Sequence, residues 1–168
     1  MHGRVLRCTL MGMISTRYAV PLIWLAFVLF LGTAYFATQE TGPFVLPFLK
    51  ILAPGAPPAQ LHAAHMVVRK LAHITEYAVL ALLWFRALLP VAGRTPREAV
   101  WIALAICLLC AFVDETHQST IPSRHGSARD FLIDASGAAG MLLVAPGRRK
   151  VVDRGTPVGG SVAAEPAE

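Results

Sequence analysis

Residues 18–37 form an uninterrupted run of twenty residues without a charged side chain, YAVPLIWLAFVLFLGTAYFA. At about 1.5 Å per residue, a helix of that length matches the roughly 30 Å hydrocarbon core of a bilayer. The preceding residues 1–17 carry Arg4, Arg7 and Arg17 and no acidic residue. A secretory signal peptide also starts with positive charge, but its apolar part is shorter and ends at a small-residue cleavage site. The run therefore predicts an uncleaved first membrane span.

The composition of the whole chain is that of a membrane protein. Of its 168 residues 55% are hydrophobic and 15% are charged, whereas soluble domains carry about 25% charged residues. The net charge of +5 comes from basic residues at the ends of apolar runs, and no basic stripe interleaved with aromatic residues indicates nucleic-acid binding. Cys107 and Cys110 lie one turn apart in an apolar run, where packing thiols are favoured over a CxxC redox or metal site.

Two further spans follow in the middle of the chain. The second covers about residues 67–89 and stops at Pro90. The third begins at Thr95 and Glu98, which have the spacing of a capping box, and its apolar run covers residues 99–113. In the second segment only residues 77–85 are free of charge, so hydropathy alone does not establish it as a span.

The fourth predicted span begins with Ser127 and Asp130 as a helix cap and stops at Pro146. Ser136 and Gly140 within it are small residues four apart, which predicts close approach of a neighbouring helix. Between the first two spans, residues 38–64 contain five prolines. Because proline interrupts helices, we expect a loop or an interfacial segment there.

These segments predict an all-α membrane protein with four transmembrane helices in a compact bundle. Basic residues cluster before the first span, between the second and third, and after the fourth, and such clusters favour the cytoplasmic side. We therefore predict a basic cytoplasmic N-terminus at residues 1–17, a transmembrane domain at residues 18–146 and a disordered cytoplasmic tail at residues 147–168.

The second span opens with RKLAHITEY, residues 69–77. At helical spacing Lys70, His73, Glu76 and Tyr77 share one face within two turns. Ionisable groups on an apolar helix are costly to desolvate unless they pair or face water.

In the predicted topology two more polar clusters reach the same external depth. The third span ends with Asp114, Glu115 and Gln118, and the fourth starts with Asp130 and Asp134. Arg124 lies in the short segment between them. A common outward-facing polar pocket explains why all three clusters share one end of the bundle.

Within this pocket the candidate catalytic residues are His73, Glu76, Asp114 and Glu115. His73 is the best candidate for proton transfer, because neighbouring charges can move its pKa across neutrality. The candidate substrate-binding residues are Lys70, Tyr77, Gln118, Arg124, Asp130 and Asp134. Among these, Lys70 and Arg124 are suited to hold a phosphate or another anion.

Other interpretations stay open for several of these residues. The charged pairs can simply hold the helices in register, Asp130 can serve as a helix cap, and Tyr77 can be an interfacial aromatic residue. The remaining polar residues are interpreted as headgroup anchors (Arg69 and Arg129) or solvated surface residues (His62, His65 and His117). A metal site is less favoured because no compact ligand motif such as HExxH occurs, and no GxSxG motif indicates a serine hydrolase. No cofactor is predicted.

Three blocks in order carry a resemblance to a known family. Lys70, His73, Glu76 and Tyr77 form the first, Asp114, Glu115 and Gln118 with Pro122 and Arg124 the second, and Asp130 the third. Together, across roughly residues 20–145, they resemble the VanZ-like family of small bacterial membrane proteins. Asparagine commonly stands there where this chain has Asp134, so no role is carried over to that position.

The resemblance implies a multi-span protein of the inner membrane, whose named member is associated with low-level resistance to the glycopeptide teicoplanin. Two function classes fit it. One is an enzyme or carrier acting on an envelope lipid or an anionic lipid-linked precursor, and the other is a non-catalytic binding protein. The expected partners are membrane lipids.

Overall fold

The computed structural model describes the backbone of residues 2–89, 91, 93–122 and 127–155, and the side chains of residues 16–89, 91, 93–122 and 127–146. Over these residues the regular structure is entirely helical, which confirms the all-α prediction. The elements are α1 (His2–Leu31), a 3-10 helix (Ala34–Phe36), α2 (Thr38–Leu52), α3 (Pro58–Leu88), α4 (Pro96–Ser119) and α5 (Ala128–Gly155).

Local sequence signals set the starts of α4 and α5. Thr95 and Glu98 form the predicted capping box, with the side chain of each accepting a hydrogen bond from the backbone N–H of the other. The Ser127 Oγ accepts from the Asp130 backbone N–H at 3.1 Å, which confirms the second predicted cap. In the loop before α4, Gly93 has a φ of +78°, a left-handed conformation that glycine adopts without steric cost.

The helix α3 is the centre of the bundle, since it contacts α1, α2, α4 and α5. The apolar end of α3 contributes Leu80 and Phe85 to the core. The face of α4 that meets this core carries small residues four apart, namely Ala99, Ala103, Cys107 and Ala111, all buried. Small residues at this spacing let helices approach closely, and Cys107 serves here as a packing thiol.

The helices α3 and α5 approach each other closely at Gly137. A Cβ atom there would collide with the Ile74 carbonyl oxygen and would lie 3.0 Å from the Ile74 Cα. The prediction of a small-residue contact surface on this helix is confirmed, but its residues were wrong. Ser136 and Gly140 are exposed, because the contact face is the next one around the helix.

The first predicted span is broken. The helix α1 ends at Leu31, and the stretch from Ala34 to Leu52 continues at an angle of 68° to it. The break falls at Gly32, which packs against α4. A single straight helix over residues 18–37 is therefore wrong, because the chain turns where α1 reaches the bundle.

The proline-rich stretch is more helical than predicted. The helix α2 includes Pro43 and Pro47, although each proline removes one backbone hydrogen bond. The helix α3 begins at Pro58, where proline is favourable because the first helical residue needs no N–H partner. Only the segment between Leu52 and Pro58 is non-helical.

Two helices, α3 and α4, are long and apolar enough to cross a membrane, and the bent pair of α1 and the stretch ending in α2 would make a third span. Four spans were predicted, but within the described residues α5 does not qualify, as polar and small residues lower its hydropathy. It also continues through Pro146 to Gly155, beyond its predicted end. The remainder of the predicted tail, residues 156–168, lies outside the described residues.

Candidate functional site

A cavity of about 260 Å³ lies where the end of α1, the 3-10 helix and α2 meet α3 and α4. Its polar lining consists of Thr41, His65, Arg69, His73, Glu76 and Asp114. The rest of its wall is formed by Leu31, Gly32, Phe36, Val45, Val68 and Ala72. The predicted meeting of Glu76 with Asp114 is therefore found, on a cavity wall that is otherwise mostly apolar.

The largest part of the wall is one face of α3. Residues 65, 68, 69, 72, 73 and 76 line it, and this is the spacing of a single helical stripe. The stripe predicted from the sequence overlaps with this one but is turned around the helix, so that it included Lys70 and Tyr77. His73 and Glu76 belong to the cavity stripe, whereas Lys70 and Tyr77 are not part of the lining.

His73 connects the cavity to α5. Its Nδ1 lies 3.1 Å from the Asp134 Oδ1, and Asp134 is completely buried. This leaves Nε2 as the ring nitrogen that Asp134 does not engage. Glu76 and Asp114 line the same cavity as the ring. An imidazole held by a carboxylate on one nitrogen is suited to accept or donate a proton on the other.

Arg69, which was predicted to be a headgroup anchor, lines the cavity. Its side chain donates a hydrogen bond of 2.7 Å from Nη1 to the Phe36 carbonyl. This contact ties α3 to the 3-10 helix at the break after α1. A guanidinium has five N–H donors, so this hydrogen bond leaves most of them for other partners.

His65 was also misassigned, as a surface residue. It is only 1% exposed, and its Nε2 lies 3.2 Å from the Thr41 Oγ1 of α2. The prediction of surface positions holds for His62 and His117, which are exposed. His65 therefore fixes α2 against α3 in the wall of the cavity.

Asp114 reaches the cavity from α4 and is 1% exposed. Its carboxylate occupies the space next to Gly32, where a Cβ atom would collide with Oδ1. Because glycine lacks that atom, the end of α1 can lie directly against the carboxylate. Asp114 is thus a point of contact between α4 and the end of α1.

Two other predicted residues of α4 lie near its carboxyl end and not in the cavity. Glu115 accepts a hydrogen bond of 2.8 Å from the Ser127 backbone N–H, so it joins the end of α4 to the start of α5. Gln118 is buried but does not belong to the cavity lining. Glu115, a predicted catalytic residue, therefore links α4 to α5 and does not line the cavity.

The remaining predicted residues are also separate from the cavity. Lys70 lies 3.3 Å from Asp130, and both side chains are more than a third exposed. Tyr77 is fully buried in the core, so an interfacial position for it is wrong. Arg124 lies outside the described residues. Within the part of the chain that is described, no group of three His, Cys, Asp or Glu side chains is placed to hold a metal ion.

The sequence contained a signal for the missed residues. His65, Arg69 and His73 are four residues apart, a spacing that places them along one helical face. These residues were not identified as site residues because the first span was predicted to be straight. A straight first span would leave no cavity beside this part of α3. Trp24 carries no such signal, yet its Nε1 donates to the Glu76 carbonyl at 3.0 Å and docks α1 on α3.

Apolar membrane-length helices packed around ionisable side chains define an α-helical membrane protein with an internal polar site. Residues 18–148 match the family described as VanZ/LLP1. The match covers most of the chain, and the protein therefore belongs to the VanZ/LLP1 family, as its motifs indicated. No curated protein and no solved structure matches it.

Proposed function

We propose that this protein binds or acts on a cell-envelope lipid or lipid-linked precursor whose polar group enters the cavity. The supporting observation is the stripe of His65, Arg69, His73 and Glu76, which lines the same cavity as Asp114. Ionisable residues inside membrane-spanning segments are costly and are in general retained for function.

Arg69 takes the anion-binding role that the sequence suggested for Lys70. Its guanidinium lies on the cavity wall and can form charge-assisted hydrogen bonds to a phosphate or another anionic group. Lys70 is paired with Asp130 outside the cavity.

His73 is the proposed acid or base. Asp134 engages Nδ1, so a substrate proton would be exchanged at Nε2, and Glu76 lies on the same wall. In the binding-only version of the function the same imidazole is a fixed hydrogen-bonding group. A glutamine side chain can replace His73 in a binding-only protein, because glutamine also forms hydrogen bonds, but it cannot replace His73 as an acid or base.

The proposed topology retains four crossings in the inner membrane, with both termini cytoplasmic. The bent pair of α1 and α2 forms the first crossing, and α3, α4 and α5 form the others. The packing of α5 against both α3 and α4 supports its place as a span. The basic clusters then lie inside, and the cavity opens toward the outside.

Cysteine accessibility tests this topology. Cys8, Cys107 and Cys110 would first be replaced by serine or alanine, and single cysteines placed at positions 62 and 117, which are exposed, and at position 86. Membrane-impermeant maleimide on intact cells should label positions 62 and 117 and spare position 86. Labelling of position 86 from outside would reverse the topology.

The function itself is tested by the lipid that copurifies with the full-length protein in mild detergent. Arg69→Gln should lose most of the bound lipid seen by mass spectrometry, while Arg86→Gln, an exposed arginine on the same helix, should retain it. His73→Gln distinguishes the enzyme from the binding-only protein. If this variant keeps its lipid but no longer acts on it, His73 transfers a proton. Equal lipid content in all three variants and the wild type would contradict the proposal.

A link to glycopeptides is the finer part of the proposal and rests on family membership. Expression of the chain in a teicoplanin-sensitive strain should raise the inhibitory concentration, and Arg69→Gln should abolish that rise. An unchanged concentration with the protein present in the membrane would remove teicoplanin from the proposal and leave the lipid site in place.

A second candidate function is purely structural. It is favoured by the Lys70 pair with Asp130 and by the Glu115 contact with Ser127, which join helices without reaching the cavity. Under this alternative, cavity variants would lower the amount of folded protein and leave no separate binding defect.

A further inference from the structure

Polar and apolar side chains occupy different parts of the cavity wall. Two of the polar lining residues lie deep inside the bundle, since His65 and Asp114 are only 1% exposed. Among the described lining residues, the two that are exposed are both apolar, namely Val68 and Ala72 of α3, and Val68 is 44% exposed. The cavity wall therefore reaches the outer surface of the bundle through apolar side chains.

Helical spacing explains this division. Successive residues of a helix are turned by about 100°, so Val68 and Ala72 form one edge of the stripe on α3 that lines the cavity. Arg69 and His73 form the opposite edge of the same stripe, and both are half-buried. The stripe thus has an exposed apolar edge and a half-buried polar edge.

The surface around the exposed edge is apolar as well. Val67 and Leu71, which precede Val68 and Ala72 in the sequence, are 55% and 56% exposed. On α2, which packs against α3, Phe48 is 61% exposed. Large exposed apolar surfaces mark sites of interaction with membranes or partners. In a membrane-spanning bundle this surface suits contact with the hydrocarbon of the bilayer.

The volume of the cavity limits how much of a ligand it can enclose. Sites that enclose a drug-sized molecule have volumes of about 300–1,000 Å³, and this cavity has about 260 Å³. It is large enough for a polar headgroup but too small for long hydrocarbon chains in addition. A chain that leaves past Val68 and Ala72 would remain in contact with apolar side chains and with the bilayer.

From these observations we infer that the ligand enters the cavity sideways from the bilayer, through an opening at Val68 and Ala72 that its hydrocarbon chain continues to occupy. The polar group of the ligand lies inside, near Arg69, and the chain stays in the membrane. This inference rests on the proposed lipid-binding function and restricts the ligand to molecules that carry a hydrocarbon chain. It makes Val68 and Ala72 chain-contacting residues, whose size controls access to the cavity.

Bulky substitutions at the opening test this route, with the lipid that copurifies with the full-length protein in mild detergent as the readout. Val68→Trp should lower the amount of bound lipid by about tenfold, because the indole fills the space through which the chain leaves. Val67→Trp is the matched control and should keep the wild-type amount, since Val67 is exposed and does not line the cavity. If Val68→Trp does not accumulate, Ala72→Phe and its control Leu71→Phe provide the same comparison.

The direction in which the opening faces is measured separately, in the protein without its native cysteines, reconstituted in vesicles of phosphatidylethanolamine and phosphatidylglycerol. A nitroxide is attached to a single cysteine at position 68, 72 or 62. Position 62 is exposed and lies about 9 Å before position 68 along α3, so it provides the aqueous reference. Collisions with O₂, which concentrates in the bilayer, relative to collisions with a water-soluble Ni²⁺ complex should be more frequent at positions 68 and 72 than at position 62.

Two results would overturn the inference. Equal lipid content in Val68→Trp and Val67→Trp would show that the chain does not pass this edge of the cavity. A ratio of O₂ to Ni²⁺ collisions at position 68 no higher than at position 62 would show that the opening faces water. In either case the proposed lipid-binding function stands as long as the wild type retains lipid, whereas absence of bound lipid from the wild type would remove both.

Discussion

His73 Nδ1 lies 3.1 Å from the Oδ1 of the buried Asp134, and this contact joins α3 to α5 inside the bundle. Replacing either residue by leucine should destabilise the fold, because the partner is left buried without its contact. In a double-mutant cycle, His73→Leu and Asp134→Leu should show a coupling energy of about 0.5–2 kcal/mol. Reversible unfolding in mixed micelles measures it.

A control cycle shows whether this coupling is specific to the contact. His62 lies on the same helix and is exposed, so His62→Leu combined with Asp134→Leu should be additive within about 0.3–0.5 kcal/mol. Additivity of the His73 and Asp134 variants as well would mean that their contact contributes nothing to stability.

Gly137 is the second site where α3 and α5 depend on each other. In Gly137→Ala the new Cβ would meet the Ile74 backbone, which cannot move aside as a side chain can, so the helices must separate. We expect a loss of about 1–3 kcal/mol in the free energy of unfolding. Gly140→Ala is the matched control, since nothing lies within 4 Å of its Cβ position. Because alanine favours a helix more than glycine does, Gly140→Ala should not lose stability. An equal effect of both substitutions would mean that the Ile74 contact does not constrain position 137.

The starts of the helices could be predicted from the sequence, whereas the faces by which the helices contact each other could not. Helix starts with a capping signal, at Thr95 and Ser127, were predicted correctly because the relevant hydrogen bonds form within four residues. The contact face of α5 was not predicted correctly. Ser136 and Gly137 are both small, so the sequence does not reveal which of them meets Ile74. That choice depends on the rotation of the helix in the bundle.

The candidate site was predicted in the same uneven way. His73, Glu76 and Asp114 were identified because charged residues in an apolar helix are conspicuous. Arg69 and His65 were missed because their cavity exists only where α1 breaks after Leu31. Hydropathy alone does not reveal such a break, since both sides of it are apolar.

A substitution of Lys70 tests whether the anion is bound by Arg69, as the structure favours, or by Lys70, as the sequence suggested. Its pair with Asp130 has side chains that are 36% and 37% exposed, and exposed pairs contribute about 0–1 kcal/mol. Lys70→Met, which keeps the apolar stem, should therefore change the free energy of unfolding by less than about 1 kcal/mol and leave lipid binding intact. Arg69→Met should instead abolish lipid binding. Loss of binding in Lys70→Met, measured by copurified lipid, would return the anion site to Lys70.

Gly32 allows a test of the break in α1 and of its contact with Asp114. In Gly32→Ala the added Cβ would collide with the Asp114 Oδ1 and lie 3.1 Å from the Leu29 carbonyl oxygen. We expect a loss of about 1–3 kcal/mol in the free energy of unfolding, together with weaker lipid retention because the cavity wall moves. Gly55→Ala, in open space, is the control. Adding Asp114→Ala should recover part of the stability lost in Gly32→Ala, because removing the carboxylate makes room for the methyl group. If the double variant is no more stable than additive losses predict, the two residues are not in contact, and the end of α1 does not close the cavity.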